Sequence, residues 1–583
     1  MCGFFGTFFG NQTLAKKMFS LQHRGPDGTN SFENKDVYFK HFRLAIIGNE
    51  KNAKQPMFSF DGSVGVVFNG EIYNYKELAS SIGRKNLIEY GDTRVLVELL
   101  AKEGLSCFSK LNGMFSMAIY FKYQNEIVLL RDRFGIKPLF YKLHGNSIYF
   151  ASEIKSLKKI FSDITFDNQK IINFLDNAEY PHFQDTFYKN IKQLQGGTYL
   201  KMNKNGFKIH KWFCLKEYFK NFNKNNLSFE GYEDLLKDSI QLRTRSDVPI
   251  SLHYSAGTDS TALLLKLKEV YEDNIPINTF TMAYNELSID ESYLAEEYCK
   301  ELNIKNHKVY LNANEVPHLA ATVNQFQDEP YAGIPVIAYY KMNKFEKDLG
   351  YVVSLEGQGG DEGLGGYLYH IYLAAYDLYT SGSNNELLEL ILKNNNLNIK
   401  EVINQSEKLI ENGFNVHTDL TDFKTSNNKL KFKKFYDWLT TIQVYDILIN
   451  KIPRVLRFHD RVSMALGREI RFPLLDHRLI TYGLALDVNL KYHQGYSKGP
   501  LRNIIKSELK NVYNQSKRSV VTPQTIWLKN ELKTWAYERI ELLNQKKIIP
   551  DKYFSSAQAF FSEKSSENSF KVWQLINLSF NFE

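Results

Sequence analysis

The 583 residues contain only four cysteines, Cys2, Cys107, Cys214 and Cys299. None stand at C-x-x-C spacing, which argues against a zinc site. Their wide scatter reads as reduced thiols in a cytoplasmic protein. Three read as buried fillers, because a free cysteine packs like a small hydrophobe; Cys2 is set apart by its position. No apolar run approaches the roughly 20 residues of a membrane span. The opening segment MCGFFGTFFGNQ has neither a charged n-region nor a small-residue cleavage site, so it does not read as a signal peptide. Lysine and arginine form no long run, and the formal charge of +8 is small for this length. That describes a mixed, solvated surface rather than a nucleic-acid binder. There is no G-x-x-x-x-G-K-S/T and no G-x-G-x-x-G, which excludes a Walker-type phosphate loop and disfavours a dinucleotide fold.

What is present divides in two, as the length demands. The first part reads as β-rich. Short apolar runs at Val37–Ile47, Val64–Phe68, Ser116–Phe121 and Glu126–Arg131 alternate with turns. A helix is expected over Asp92–Glu103, with Asp92 as a cap and Gly104 as its terminator. The polar stretch Lys220–Ser228 reads as a linker. Beyond it strands and helices alternate: Pro249–Tyr254, a helix over Thr261–Tyr271, Ile277–Ala283, a helix over Ser292–Leu302, His307–Leu311, and Tyr351–Leu355. This pattern implies a parallel sheet covered on both faces, with ligands at the carboxyl ends of its strands. Two glycine-bearing turns lie there, SAGTDS (Ser255–Ser260) and EGQGGDE (Glu356–Glu362). Residues 381–434 are Asn/Lys-rich and carry no evident chemistry. The chain from Phe435 onward reads as helical.

Each turn suggests a chemistry. Removal of Met1 would leave Cys2 with a free α-amine, whose ordinary pKa of about 7.7–8.0 suits it to act as base for its own thiol. Gly3 allows close backbone approach. Asn69-Gly70 follows a strand and offers an amide side chain and a backbone N–H; the same pair is also a strong hairpin signal. SAGTDS joins a strand to a helix, where N–H groups and the helix dipole favour an anion, and the hydroxyls of Ser255 and Ser260 add donors.

The segments MCGFFG, LQHRGPDG, HFRLAIIG, KQPM, VVFNGEIYNYKEL and GDTRVLVELL, in that order, resemble the glutaminase domain of class II amidotransferases. RDRFGIKPLFY and YFASEIKSL are similar to asparagine synthetases and their close relatives. SAGTDS resembles the pyrophosphate loop S-G-G-x-D-S of ATP pyrophosphatases. IQLRTRSDVPISL, IDESYLA, QDEP, RVSMALGREIRFPLLDHR and VTPQTIWL carry the resemblance through most of the chain.

The resemblance implies an Ntn-type αββα glutaminase sandwich over residues 1–215. Over residues 228–583 it implies a Rossmann-like, parallel-sheet ATP-pyrophosphatase domain with a helical C-terminal part. It implies Cys2 as nucleophile and Asn69 with Gly70 as oxyanion hole. Arg43 would take the carboxylate of glutamine, and Glu71 and Asp92 its ammonium. His23 and Arg24 would shape that pocket. Leu252, Ser255, Gly257, Asp259, Ser260, Gly357 and Lys498 would bind ATP and pyrophosphate, and Asp259 and Asp361 would hold Mg²⁺. Asp460–Arg478 would help build the acceptor pocket.

Two positions depart from the family pattern. Ala256 replaces a loop glycine, which costs roughly 1–2 kcal/mol if that position needs a positive φ. Gln358 stands where asparagine synthetases carry the glutamate taken to deprotonate ammonia, and a glutamine accepts no proton at neutral pH. Glu356, two residues earlier, shares its face if the strand continues; with Gln358 and Glu362 it makes up the acceptor-site candidates.

The expected reaction is glutamine-dependent amidation of aspartate through an acyl-adenylate, giving asparagine, glutamate, AMP and pyrophosphate. Alternatives are the same chemistry on another carboxylate, such as a uronic-acid sugar of a surface polysaccharide, or a non-catalytic regulatory or storage homologue. The expected partners are small molecules, with neither nucleic acid nor membrane. The oligomeric state is open, a homodimer among the choices.

Overall fold

A computed structural model describes residues 2–48, 53–271, 277–286, 288–411, 434–506, 509, 512, 521–562 and 568–582. It forms a two-domain α/β protein. The strands of the N-terminal domain are β1 Cys2–Phe8, β2 Gly28–Glu33, β3 Val37–Arg43, β4 Met57–Phe58, β5 Val64–Ile72, β6 Gly113–Phe121, β7 Glu126–Arg131, β8 Phe140–His144, β9 Ser147–Ala151, β10 Lys192–Gln193, β11 Thr198–Asn203 and β12 Gly206–Lys211. They build two six-stranded sheets, β10-β8-β9-β1-β3-β2 and β12-β11-β7-β6-β5-β4. Every recorded pairing within them is antiparallel.

Side-chain alternation explains the layering. Phe4 and Phe8 of β1, Phe39 of β3, Val67 of β5 and Leu129 of β7 fill one core between the sheets. The opposite residues of β5, Val64, Val66 and Phe68, meet Val95, Leu96 and Leu99 of the helix Asp92–Glu103. The outer face of the first sheet, with Phe5 and Phe42, packs on the helices Gln12–Ala15 and Ile154–Lys158, in a cluster that runs on into Val316–Gln327 and Gly333–Asp348 of the second domain. Helix, sheet, sheet and helix therefore stack in that order.

The C-terminal domain is built on a parallel sheet of β13 Ile250–His253, β14 Asn278–Ala283, β15 Asn306–Tyr310, β16 Val353–Leu355 and β17 Glu469–Arg471, ordered β15-β14-β13-β16-β17. The strand order reverses between β13 and β16, so the turns after these two strands open into one crevice, the usual ligand position in such sheets. Helices follow from Trp438 to Ser579.

Several expectations change. β17 was not foreseen: it is three residues long and its Glu469 and Arg471 are buried as an ion pair, so it carries no apolar signal. β3 stops at Arg43 instead of reaching Ile47. The strand β16 ends at Leu355, so Glu356 and Gln358 do not share a strand face. Gly91, not Asp92, is the cap of the helix Asp92–Glu103, while Gly104 does terminate it at φ +60°. Cys107 and Cys299 are buried, Cys214 only half-buried, and all four thiols are unpaired. Within the Asn/Lys-rich stretch, helices Asn385–Asn394 and Ile399–Glu411 pack on the helix Leu368–Ser381; residues 412–433 lie outside the described residues. Among the described residues no helix is long and apolar enough to cross a membrane.

Candidate functional sites

Cys2 opens β1 directly opposite Arg43 of β3. Its backbone N–H donates to Asn69 Oδ1 at 3.2 Å. This fixes the amide so that Asn69 Nδ2 is buried with no hydrogen-bond partner among the described residues. An orphaned donor costs about 1–3 kcal/mol, so its retention beside a thiol points to a ligand oxygen. Asn69-Gly70 neither follows a strand nor forms a hairpin turn: both lie within β5, opposite Ser116 and Phe115 of β6. Gly70 has φ +147°, and a Cβ there would stand 2.0 Å from Met114 O, so this strand position tolerates only glycine. Burial pushes the Cys2 thiol pKa up, against the neighbouring chain terminus and the backbone of Leu44, which lower it.

Three carboxylates gather behind the thiol. Burial, then repulsion from Glu469 and Asp92, holds Glu71 well above the usual range, with Arg471 4.0 Å away in partial relief. Burial raises Asp92 to about 6, although Asp92 Oδ2 accepts the Ile72 N–H at 2.9 Å. Glu71 Oε2 is buried without a hydrogen bond to the described residues. A cation placed among these groups would lower all their energies. Arg43 donates to Gly48 O at 2.9 Å. His23 is committed elsewhere, 3.0 Å from Glu153.

A second constellation sits at the switch point. The 14-residue helix Thr258–Tyr271 starts directly after the SAG turn that follows β13. Ser255 and Ser260 brace the turn: their hydroxyls lie 3.2 Å apart, and Gly257 N–H donates to Ser255 Oγ at 3.4 Å. Ala256 has φ +57°, so the strain foreseen for alanine is present. Leu252 is fully buried in β13. A Cβ on Gly357 would meet Asp259 Cβ at 3.0 Å, so the two turns touch. Lys498, in left-handed backbone at the start of the helix Gly499–Ile505, places Nζ 2.7 Å from both Asp259 Oδ2 and Asp361 Oδ1. Burial disfavours its ammonium, but the two aspartates outweigh that and raise its pKa. Two carboxylates that converge on one cation position fit Mg²⁺, which commonly takes one or two carboxylates and keeps waters. Glu362 accepts from Gly359 N–H at 3.2 Å and Tyr367 O–H at 2.6 Å, and burial and Asp361 raise it to about 7.

Beside this lies a buried polar network that sequence reasoning saw only through Glu356. Its Oε1 accepts from His253 Nδ1 and its Oε2 from His459 Nδ1, both at 2.6 Å. His253 Nε2 reaches Glu346 Oε2 at 2.8 Å, and Arg468 also pairs with Glu346. Burial opposes charge throughout. Even so, Arg468 and His253 hold Glu346 at about 2, His459 and His253 hold Glu356 at about 2, and the two glutamates raise His253 to about 9. Gln358 is half-buried. In the Asp460–Arg478 stretch, the pair Arg24–Asp460 spans the domains; neither it nor His459 carries a local sequence signal.

The sequence comparisons agree with this division. Residues 1–213 match the family model of a glutamine amidotransferase domain, and residues 231–581 match that of asparagine synthase. The fold and these matches define a glutamine amidotransferase fused to a synthetase domain. The chain belongs to the asparagine synthase family. It is 27% identical over 614 residues to asparagine synthetase (glutamine-hydrolyzing) 1 of Bacillus subtilis (strain 168), covering 99% of this chain and 95% of the relative. It is 30% identical over 525 residues to asparagine synthetase (glutamine-hydrolyzing) 2 of the same organism, covering 85% and 67%. Among solved structures, the B. subtilis glutamine phosphoribosylpyrophosphate amidotransferase complexed with ADP and GMP aligns with 53% of this chain and 66% of its own. Identity there is 17% and the TM-score 0.28.

Proposed function

We propose that this chain is a glutamine-dependent synthetase that adenylates a carboxylate and amidates it, with aspartate as the leading acceptor and asparagine as the product. We assign glutamine hydrolysis to residues 1–215 and synthesis to residues 228–583. The observation that carries the reading is the pairing, in one chain, of an unsatisfied amide donor beside Cys2 with the convergence of Asp259, Asp361 and Lys498 at the strand-reversal crevice.

With Met1 removed, the α-amine of Cys2 takes the thiol proton and sulfur attacks the side-chain amide of glutamine. The oxyanion is met by Asn69 Nδ2 and the Gly70 backbone. Arg43 holds the substrate carboxylate, and Glu71 and Asp92 its ammonium. The C–N bond breaks, ammonia leaves, and water later hydrolyses the thioester to glutamate. At the second site Ser255, Gly257, Ser260 and Gly357 cradle the phosphates of ATP against the adjoining strand residue Leu252. Lys498 stabilises negative charge as the acceptor carboxylate displaces pyrophosphate. Mg²⁺, when bound by Asp259 and Asp361, would neutralise phosphate charge. Ammonia passing between the domains attacks the acyl-adenylate and releases AMP, shielded from protonation by bulk water. The setting we assign is cytoplasmic.

A second reading keeps this chemistry and changes the acceptor to a uronic-acid sugar. It is favoured by the uncharged Gln358 and by Glu356, both of whose oxygens are engaged by histidines. Pyrophosphate release from ATP across a panel of carboxylates tests both. Aspartate alone supporting release fits the first; a uronic acid succeeding where aspartate fails selects the second; release with no carboxylate rejects adenylation.

A further inference from the structure

Amide formation from an acyl-adenylate and ammonia has a proton problem. Attack gives a tetrahedral centre carrying –NH₃⁺, and AMP leaves productively only as that nitrogen loses a proton. A proton acceptor must therefore lie close to the adenylate. Near the crevice, Asp259 and Asp361 are paired with Lys498, and Glu362 is engaged by Tyr367 and Gly359. Gln358 accepts no proton at neutral pH. Glu356 has both oxygens tied to histidines.

His459 remains. It is 4% exposed, and its Nδ1 lies on Glu356. The ring packs against Tyr339, with centroids 4.2 Å apart, and against Phe472. Its Nε2 makes no recorded hydrogen bond to the described residues. The tautomer with hydrogen on Nδ1, donated to Glu356, makes Nε2 the basic nitrogen, as in other carboxylate-oriented imidazoles. Glu356 immediately precedes Gly357, the residue that touches Asp259, so the pair stands beside the pyrophosphate turn. The rest of the network holds the carboxylate still: His253 anchors its other oxygen, and Glu346 with Arg468 anchors His253.

We propose that His459, oriented by Glu356, is the general base of the amide-forming step. It rests on the adenylation reading above. As ammonia nitrogen bonds to the acyl carbon, Nε2 takes one of its protons, the C–O bond to AMP breaks, and the electron pair departs with the phosphate oxygen. The imidazolium then returns its proton to solvent. His459 is a catalytic residue in this scheme, and Glu356, acting through it, is a positioning residue.

The test uses the full chain with His459→Asn, whose amide N–H₂ can still donate to Glu356 but cannot accept a proton. Two reactions are measured: ATP–pyrophosphate exchange with a panel of aspartate, glucuronate and galacturonate, and amide formation from ammonium chloride with whichever carboxylate supports exchange. Exchange is expected to stay near wild type. Amide formation is expected to fall about 100-fold or more, a usual effect of losing a general base. The ascending limb of its pH–rate profile should also flatten. The charged groups that bear on that limb are Glu356, His253, Glu346 and Arg468; Tyr339 also faces the ring, and Asp460 on the same helix is committed to Arg24. Glu356→Gln should shift the limb of amide formation, because the imidazole loses the carboxylate that orients it. Amide formation near the wild-type rate in His459→Asn, or equal loss of both reactions, overturns the assignment. A wild-type chain that exchanges with no carboxylate instead rejects the adenylation reading beneath it.

Discussion

Arg24, in the N-terminal domain, and Asp460, in the C-terminal domain, form a two-point ion pair that is closed to solvent. Nη1 and Nη2 of Arg24 lie 2.8 and 3.2 Å from the two carboxylate oxygens. The same guanidinium donates through Nε to Cys2 O at 3.2 Å and through Nη1 to Glu153 at 2.8 Å. One side chain thus joins the backbone of Cys2, the proposed nucleophile, to the helix that carries His459. Asp460→Ala leaves a buried cation short of a partner, which typically costs about 3–5 kcal/mol. Urea unfolding is expected to show that loss, and glutaminase turnover to fall with it. A variant as stable as wild type would mean that Glu153 alone satisfies Arg24.

Ala256→Gly is expected to stabilise the chain. The residue sits at φ +57°, where an L side chain costs roughly 1–2 kcal/mol, while glycine loses about 0.4–1 kcal/mol through the greater freedom of its unfolded state. The net gain should be about 0.5–1 kcal/mol, read as a raised urea midpoint. A lowered midpoint would show that alanine packing outweighs the strain.

The His253 network sets a pH window. His253 is raised to about 9 from an ordinary 6.5, so its contribution is complete below pH 6.5 and lost as pH rises through about 9. Glu346 and Glu356 are held at about 2, so theirs is complete above about pH 4.5 and lost as pH falls through about 2. The shifts describe shared contacts and count once, at about 3 kcal/mol for the alkaline limb. Stability measured from pH 6.5 to 9.5 should fall by that order in wild type. The fall should be much shallower in His253→Gln; equal slopes would remove His253 from the alkaline limb.

Asp259→Asn should abolish pyrophosphate release and spare ammonia release from glutamine. Asp259 lies against Gly357 and Lys498 in the C-terminal domain, apart from the Cys2 site. Loss of both activities would show that the sites are not independent.

The sequence showed the N-terminal sheets and the parallel sheet through their alternation. It showed Asn69-Gly70 and SAGTDS because each carries its chemistry in adjacent residues, although Asn69-Gly70 lies within β5 and not in a turn. The roles read for Arg43, Lys498 and Asp361 came only through resemblance, because each meets its site through distant partners. Asp92 reads from sequence both as a cap and, by resemblance, as an ammonium ligand, because acid at a helix start looks the same whether it caps or, as here, accepts the Ile72 N–H. Arg24 and Asp460 are 436 positions apart, and His459 meets Glu356 across 103. No local periodicity encodes such pairs, and buried ion pairs break the apolar pattern by which buried segments are read. β17 escaped for that reason.

Nitrogen released at Cys2 is expected to end in an amide made at the SAGTDS crevice. Incubating the full chain with ATP, Mg²⁺, glutamine labelled with ¹⁵N at the side-chain amide, and a panel of aspartate and uronic acids tests it directly by mass spectrometry. One ¹⁵N-labelled amide product is expected, with one AMP per amide, and that product should be lost in Cys2→Ala unless ammonium salt is supplied. Label found only in free ammonia, with no carboxylate amidated and no AMP formed, would contradict it.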